Sequence, residues 1–142
     1  MRLINVETLQ LEEFMSDPPP YAILSHTWTR EEVTFDDLRK RAPGELLSSH
    51  GDLNAGWRKI HQTCRLARED QLHYAWVDTC CINKESSAEL SESINSMFRW
   101  YQEAACCYTY LEDMVDPDDF WTARWFTRGC ESHVLFLEAS GS

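Results

Sequence analysis

Three short polar clusters carry the side chains of this chain best suited to chemistry: Ser25-His26-Thr27-Trp28, Asp78-Thr79 and Glu112-Asp113. His26 offers an imidazole that could act as a general base or as a hydrogen-bond donor, with Asp78 as the carboxylate to orient it; the competing reading is a local loop contact. Trp28 offers an indole face for a planar ligand ring, against ordinary packing beneath a loop. Cys80 and Cys81 directly follow the second cluster and would be nucleophiles only with an exposed thiolate and a neighbouring base, for which His26 is the candidate. No GxGxxG, Walker A, HExxH or GxSxG pattern occurs, so the usual nucleotide-binding and hydrolase routes have no support in the sequence.

These clusters become one site only if the elements before them are strands of a single sheet. Tyr21-Ala22-Ile23-Leu24-Ser25, Tyr74-Ala75-Trp76-Val77-Asp78 and Cys106-Cys107-Tyr108-Thr109-Tyr110-Leu111 are compact, β-prone apolar runs, each closed by one of the clusters. Between the first two, Thr34 and Asp37 form a capping-box pattern for a short helix through about Arg41, ended by Pro43-Gly44. After a polar loop from Leu46 to Asn54, Trp57, Ile60, Cys64 and Ala67 fall at helical spacing, with Arg58, Lys59, Gln62, Arg65, Arg68 and Glu69 on the remaining positions. A second capping-box pattern, Ser86 with Glu89, opens a helix whose apolar face is Leu90, Ile94, Met97, Phe98, Tyr101 and Ala105. Residues 2–14 supply one or two short edge strands before the stiff Ser16-Asp17-Pro18-Pro19-Pro20 break.

Helices between short apolar strands require right-handed parallel crossovers, so the expected architecture is an α/β, three-layer parallel sheet with short N-terminal edge strands. In such a sheet the crevice beyond the carboxyl ends of the strands is the ligand site, which makes Ser25, His26, Trp28, Asp78 and Thr79 its expected lining.

At 142 residues the chain suits one domain that buries about 68–70% of its unfolded surface. A 43% hydrophobic content with 6 Trp, 6 Phe and 5 Tyr excludes a disordered chain despite the net charge of -11. That charge, 13 Lys+Arg against 24 Asp+Glu with no local basic patch, argues against nucleic acid and anionic membranes as partners. Met1 to Glu7 meets polar residues before a signal-peptide core can form, so a cytoplasmic location is expected. Six cysteines with two adjacent pairs and no CxxC fit neither a disulfide framework nor a metal site; small buried hydrophobes in strands are the expectation, with no metal and no bound cofactor.

Longer words of the sequence add a resemblance. Arg2-Leu3-Ile4-Asn5, Tyr21 to Trp28, Glu32-Val33-Thr34-Phe35, Trp57-Arg58-Lys59-Ile60, Tyr74 to Lys84 and Ser87 to Tyr101 are similar, in order, to segments of the fungal heterokaryon incompatibility (HET) domain. The resemblance covers residues 1–129 and implies a cytosolic signalling module of filamentous fungi, acting in non-self recognition with a cell-death output, with protein partners or self-association. It further implies a distant likeness to TIR domains, with a flavodoxin-like sheet and, in some members, NAD cleaved as substrate. In such a reaction a carboxylate beside the ribose would stabilise an oxocarbenium-like centre as nicotinamide leaves.

The likeness breaks near the end. HET domains continue approximately Arg-Trp-Phe-Thr-Arg-Gly-Trp-Thr-Leu-Gln-Glu-Leu in the helix that would carry the TIR-type catalytic glutamate. This chain matches at Arg124 to Gly129, then reads Cys130-Glu131-Ser132-His133-Val134-Leu135, which places Val134 at the glutamate position. Glu131 and Glu138 flank that position on a helix but inherit its role on neither side. The resemblance therefore divides the chain into a HET-like domain, residues 1–129, and a divergent tail, residues 130–142, whose helix is altered or truncated, as an altered splice or a truncated gene model would leave it. His26, Asp78 and Glu131 remain as catalytic candidates. The alternatives are a non-enzymatic module that associates through exposed aromatics such as Trp121 and Trp125, and an inactive fragment.

Overall fold

The computed structural model describes residues 1–42 and 54–111, together with the backbone of Val134–Glu138. Ten elements follow in chain order: β1 Arg2–Asn5, β2 Leu11–Glu13, β3 Tyr21–His26, α1 Phe35–Arg39, α2 Ala55–Glu69, β4 Tyr74–Trp76, α3 Asp78–Cys81, α4 Ser87–Glu103, β5 Cys106–Leu111 and β6 Val134–Glu138. One six-stranded sheet runs β2-β1-β4-β3-β5-β6. β4, β3, β5 and β6 are parallel neighbours, whereas β1 is antiparallel to both β2 and β4.

The sheet is therefore mixed rather than wholly parallel, and the reason is local. β1 and β2 are joined by a tight turn in which the Asn5 side chain accepts from the N–H groups of Glu7 and Thr8 and Leu9 takes a positive φ of 55°. A connection that short permits only antiparallel pairing. Nor is β1 an edge strand: it lies between β2 and β4, with Leu3 and Ile4 fully buried.

Alternation along β3 sends Tyr21 and Ile23 to one face of the sheet and Ala22, Leu24 and His26 to the other. The first face meets α4: Tyr21 Oη donates to the Trp100 carbonyl at 2.6 Å, and Trp76 packs edge-on to the rings of Trp100 and Tyr101. The second meets α2, where Tyr108 Oη donates to Asp70 and Lys59 sits 5.2 Å from the Tyr110 ring. Three layers result. From β3 the chain crosses to β4 through α2 and then back past β3 to β5 through α4 on the opposite face, so the two crossovers share one hand.

Both caps read from the sequence form, one of them by half. Thr34 and Asp37 make a complete capping box on α1. Ser86 accepts from the Glu89 N–H, but the Glu89 carboxylate turns away to the Asn83 N–H and to Arg2. α2 begins at Asn54, whose side chain accepts from the Trp57 N–H, and ends at a left-handed Gln71, with Gln71 and Leu72 donating back to Arg68 and Ala67.

The expected stripe of α2 forms, widened by Lys59, whereas that of α4 forms only in part. α2 buries Gly56, Lys59, Ile60, Thr63, Cys64 and Ala67, which moves Lys59 from the solvent face to the core and leaves Trp57 half-buried. α4 buries Ser93 and Trp100, with Leu90, Met97 and Tyr101 packed beside them, while Ile94 and Phe98 are 61% and 75% exposed and Ala105 lies beyond the helix. In each case the large residue that tempts a helical reading is one position away from the true inward row.

A further difference lies at the carboxyl end. Val134–Glu138 is a strand paired in parallel with β5, from Cys107↔Val134 to Leu111↔Glu138, where an altered helix was expected. Val-Leu-Phe-Leu is an apolar run of high β-propensity, and it completes the ladder of a strand that would otherwise end the sheet. The helical-face comparison of Glu138 with Val134 accordingly does not apply. Glu131, Glu112, Asp113, Trp121, Trp125, Cys130 and the loop before Asn54 lie outside the described residues.

Candidate functional site

Parallel pairing of β3, β4 and β5 brings their carboxyl ends to one edge of the sheet, and the residues that follow them meet there. His26 closes β3. Asp78 follows β4 by two residues and opens α3, so it belongs to a short helix rather than to the strand end. His26 Nε2 lies 2.9 Å from Asp78 Oδ1, and Trp28 Nε1 donates to Asp78 Oδ2 at 2.9 Å. The second nitrogen of the ring faces Lys59, with Nζ 3.4 Å from His26 Nδ1. Lys59 also donates to the Thr27 carbonyl at 3.1 Å and to Glu32 Oε1 at 2.6 Å. Glu32 in turn accepts from the N–H and the hydroxyl of Thr29.

An ammonium can only donate, so in the neutral imidazole Nδ1 is the acceptor and the proton resides on Nε2, pointing at Asp78. The result is a directed chain, Lys59 to His26 to Asp78, with Trp28 donating to the same carboxylate from the other side. With its side chain 1% exposed and both nitrogens engaged, His26 is a positioning residue, holding Asp78 and through it Trp28. Burial alone would raise the Asp78 carboxyl, but the hydrogen bond from His26, the Trp28 N–H and the Lys84 ammonium outweigh it and hold the group below its ordinary value. Glu32 behaves alike: burial opposes ionisation, and the hydrogen bond from Lys59, the Thr29 N–H and the charge of Lys59 prevail.

Local sequence dictates this arrangement. Gly56 lets the first turn of α2 press against the 31–33 segment, where an added Cβ would stand 2.0 Å from the Glu31 carbonyl oxygen. Three residues on, Lys59 is thereby delivered beneath the end of β3.

Beside the network lies a cavity of about 390 Å³ whose lining includes Trp28, Phe35, Thr79, Ile82 and Lys84, but not Ser25, His26 or Asp78. Trp28 is 56% exposed, and the Lys84 ammonium sits 3.4 Å from the centroid of its indole. Thr79 is buried, and its hydroxyl has no hydrogen-bond partner. Ser25 is half-buried and, by alternation, faces α4 rather than His26. Of the five expected lining residues, His26, Trp28 and Asp78 are in contact, Trp28 and Thr79 border the cavity, and Ser25 is turned away.

Cys80 is fully buried, its thiol pushed well above the ordinary value first by burial and then by Cys81. Cys81 is likewise buried, and both nitrogens of His26 are engaged by Asp78 and Lys59, so the Cys/His hydrolase arrangement does not form. Cys64, Cys80, Cys81 and Cys107 are buried free thiols, but the first three stand on helices rather than in strands. Among the described residues no group of three His, Cys, Asp or Glu side chains is placed to hold a metal ion, and no helix is long and apolar enough to cross a membrane.

Sequence reasoning gave no role to Lys59, Glu32 or Lys84. A signal existed for Lys59: it stands three residues after Gly56 and four before Thr63, beside Ile60, Cys64 and Ala67, so a lysine stands at core spacing.

The sequence of this small α/β domain matches a known family. The pattern that defines the heterokaryon incompatibility protein family (HET) fits residues 21–132, and the chain belongs to that family. It is similar to vegetative incompatibility protein HET-E-1 of Podospora anserina, 46% identical over 136 residues, which covers 86% of this chain and 9% of that protein. The chain thus spans about a tenth of the length of this relative. No solved structure matches it.

Proposed function

We propose that this chain is a heterokaryon incompatibility signalling domain that acts in the fungal cytosol, where non-self recognition leads to cell death, and that its ligand is held at the carboxyl edge of the sheet. The observation that carries the ligand role is the Lys59-His26-Asp78-Trp28 network beside a cavity with an exposed indole. Buried ionic groups joined by hydrogen bonds fix geometry more than they add stability, and this network fixes the cavity wall. In this reading the fold is of the flavodoxin/TIR kind and the chain is a degenerate copy of an NAD-cleaving module. His26 has no free nitrogen for a substrate proton, and residue 134 stands in a strand.

Inducible expression in a filamentous fungus tests the reading. Growth arrest by the chain, abolished in Asp78→Asn, is expected; normal growth on expression of a folded chain overturns it. Purified chain is expected to leave NAD intact, and a version with residues 130–142 replaced by the family-like ending is expected to consume it. NAD consumption by the chain itself overturns the degenerate assignment.

A second reading, an interaction module that self-associates or binds a sensor domain, is favoured by Ile94 and Phe98, one turn apart and exposed on α4. Sedimentation over a wide concentration range, compared with Phe98→Glu, is expected to show association that the substitution weakens; a strict monomer at every concentration refutes self-assembly.

A further inference from the structure

We propose that the cavity between the Trp28–Phe35 segment and the turn at Ile82–Glu85 takes a planar aromatic ring bearing one anionic group, with Lys84 as counter-charge, Thr79 as hydrogen-bonding group and Trp28 as stacking wall. This chemistry rests on the reading above that this edge of the sheet holds a ligand. The volume, about 390 Å³, falls in the range of small-molecule pockets and exceeds what a lone inorganic anion fills.

Three independent features select the class. The first is Thr79: it borders the cavity, is 5% exposed, and its buried hydroxyl has no partner. A buried hydroxyl left unpaired is unfavourable, and a group brought by a ligand removes the deficit.

The second is Lys84. Among the described residues it forms no salt bridge; its ammonium rests on the Trp28 ring instead. Partial burial lowers its pKa, with Asp78 the largest opposing influence, so the ammonium is short of solvation where it stands.

The third is the local charge. The wall carries Arg30 and Lys84 against Glu32, Asp36 and Glu85. Glu32 is taken by Lys59 at 2.6 Å, and Asp36 by Lys40 at 3.2 Å and Arg39 at 3.3 Å. What remains in the wall is Arg30 and Lys84 against Glu85, with the Asp78 carboxylate behind Lys84 as a second negative charge, so the locus is balanced in a chain of net charge -11 and Lys84 meets an incoming anion without a carboxylate bound to it.

An incoming anion replaces the cation–π contact of Lys84 with a charge-assisted hydrogen bond, the stronger of the two. Withdrawal of the ammonium frees the indole face, and a ring attached to the anion stacks there. Ring and charge therefore bind together better than either alone.

Calorimetric titration of the whole chain with 2-naphthoate, neutral 2-naphthamide and inorganic phosphate tests this. Saturable binding of 2-naphthoate, at least about tenfold tighter than either other probe, is expected. Lys84→Ala should weaken 2-naphthoate about tenfold, leave 2-naphthamide binding no weaker because the indole face is then uncovered, and be rescued in part by Lys84→Arg. Thr79→Val, which keeps the shape of the side chain, should weaken 2-naphthoate while circular dichroism and melting temperature show a fold at least as stable as the parent. Equal binding of naphthoate and naphthamide, undiminished binding by folded Lys84→Ala, or no saturable binding each overturns the assignment. If 2-naphthoate fails to bind while expression still arrests growth in an Asp78-dependent way, the ligand chemistry is wrong and the incompatibility reading stands. If 2-naphthoate binds as expected while expression leaves growth normal, the ligand chemistry stands and the incompatibility reading falls.

Discussion

Replacing Lys59 by methionine isolates the buried charge on which the site is built. Lys59 is 1% exposed and donates to Glu32, Thr27 and His26 at 2.6, 3.1 and 3.4 Å. Methionine fills a similar volume, so the loss is electrostatic rather than a cavity. Removing one member of a buried ion pair destabilises by about 3–5 kcal/mol, because the remaining charge is left uncompensated. Here the lower end applies: the Glu32 side chain is 12% exposed and keeps both hydrogen bonds from Thr29. A loss of about 3 kcal/mol, at about 3 °C per kcal/mol for a chain of this size, is a fall of about 9 °C in Tm. Urea unfolding followed by tryptophan fluorescence and circular dichroism measures it. The double variant Lys59→Met/Glu32→Gln removes the stranded charge but keeps an acceptor for Thr29, and should recover most of the loss. A single variant within about 0.5 kcal/mol of the parent, or a double variant no better than the single, refutes the burial argument.

Acid should weaken the site in a defined window. Asp78 and Glu32 both have folded pKa values below their ordinary 3.8 and 4.5, so their stabilising contribution is complete above those values and is lost as pH falls toward the lower folded ones; Tm followed from pH 7 to pH 3 should drop below about pH 4.5, and less steeply in Asp78→Asn. Cys64, whose thiol burial pushes up to about 12, together with Cys80 and Cys81, should resist iodoacetamide in the native protein and react only after unfolding, as read by peptide mass spectrometry; rapid native labelling of Cys80 would restore it as a nucleophile. Gly56→Ala should destabilise by about 2 kcal/mol or more, since its Cβ would meet the Glu31 carbonyl oxygen at 2.0 Å and the Val33 nitrogen at 2.9 Å, and neither backbone atom can step aside; an unchanged urea midpoint would contradict that packing.

Much of this protein was legible in the residues alone. Tyr21, Tyr74 and Cys106 begin the three central strands because short apolar β-prone runs have few alternatives, and Thr34, Asp37 and Ser86 cap helices because their side chains answer open backbone donors within three residues. The family blocks likewise resided in the sequence. Whatever depends on distance across the chain did not. The meeting of His26 with Asp78, 52 residues apart, was only an inference from strand order until parallel pairing brought the two strand ends together. Lys59 looked like a solvent-facing charge, since one helical turn leaves its direction uncertain by a single position; only the close approach at Gly56 turns it inward, where Glu32 and His26 compensate its burial. Ile94 and Phe98 look like core residues on a helical wheel, and only the seating of Trp100 against Tyr21 and Trp76 rotates α4 to leave them outside. Local spacing determines which elements form, because backbone capping and side-chain period act over a few residues. Which side of each element meets the core is settled by contacts between segments far apart in the chain, and that is why the site needed the tertiary structure.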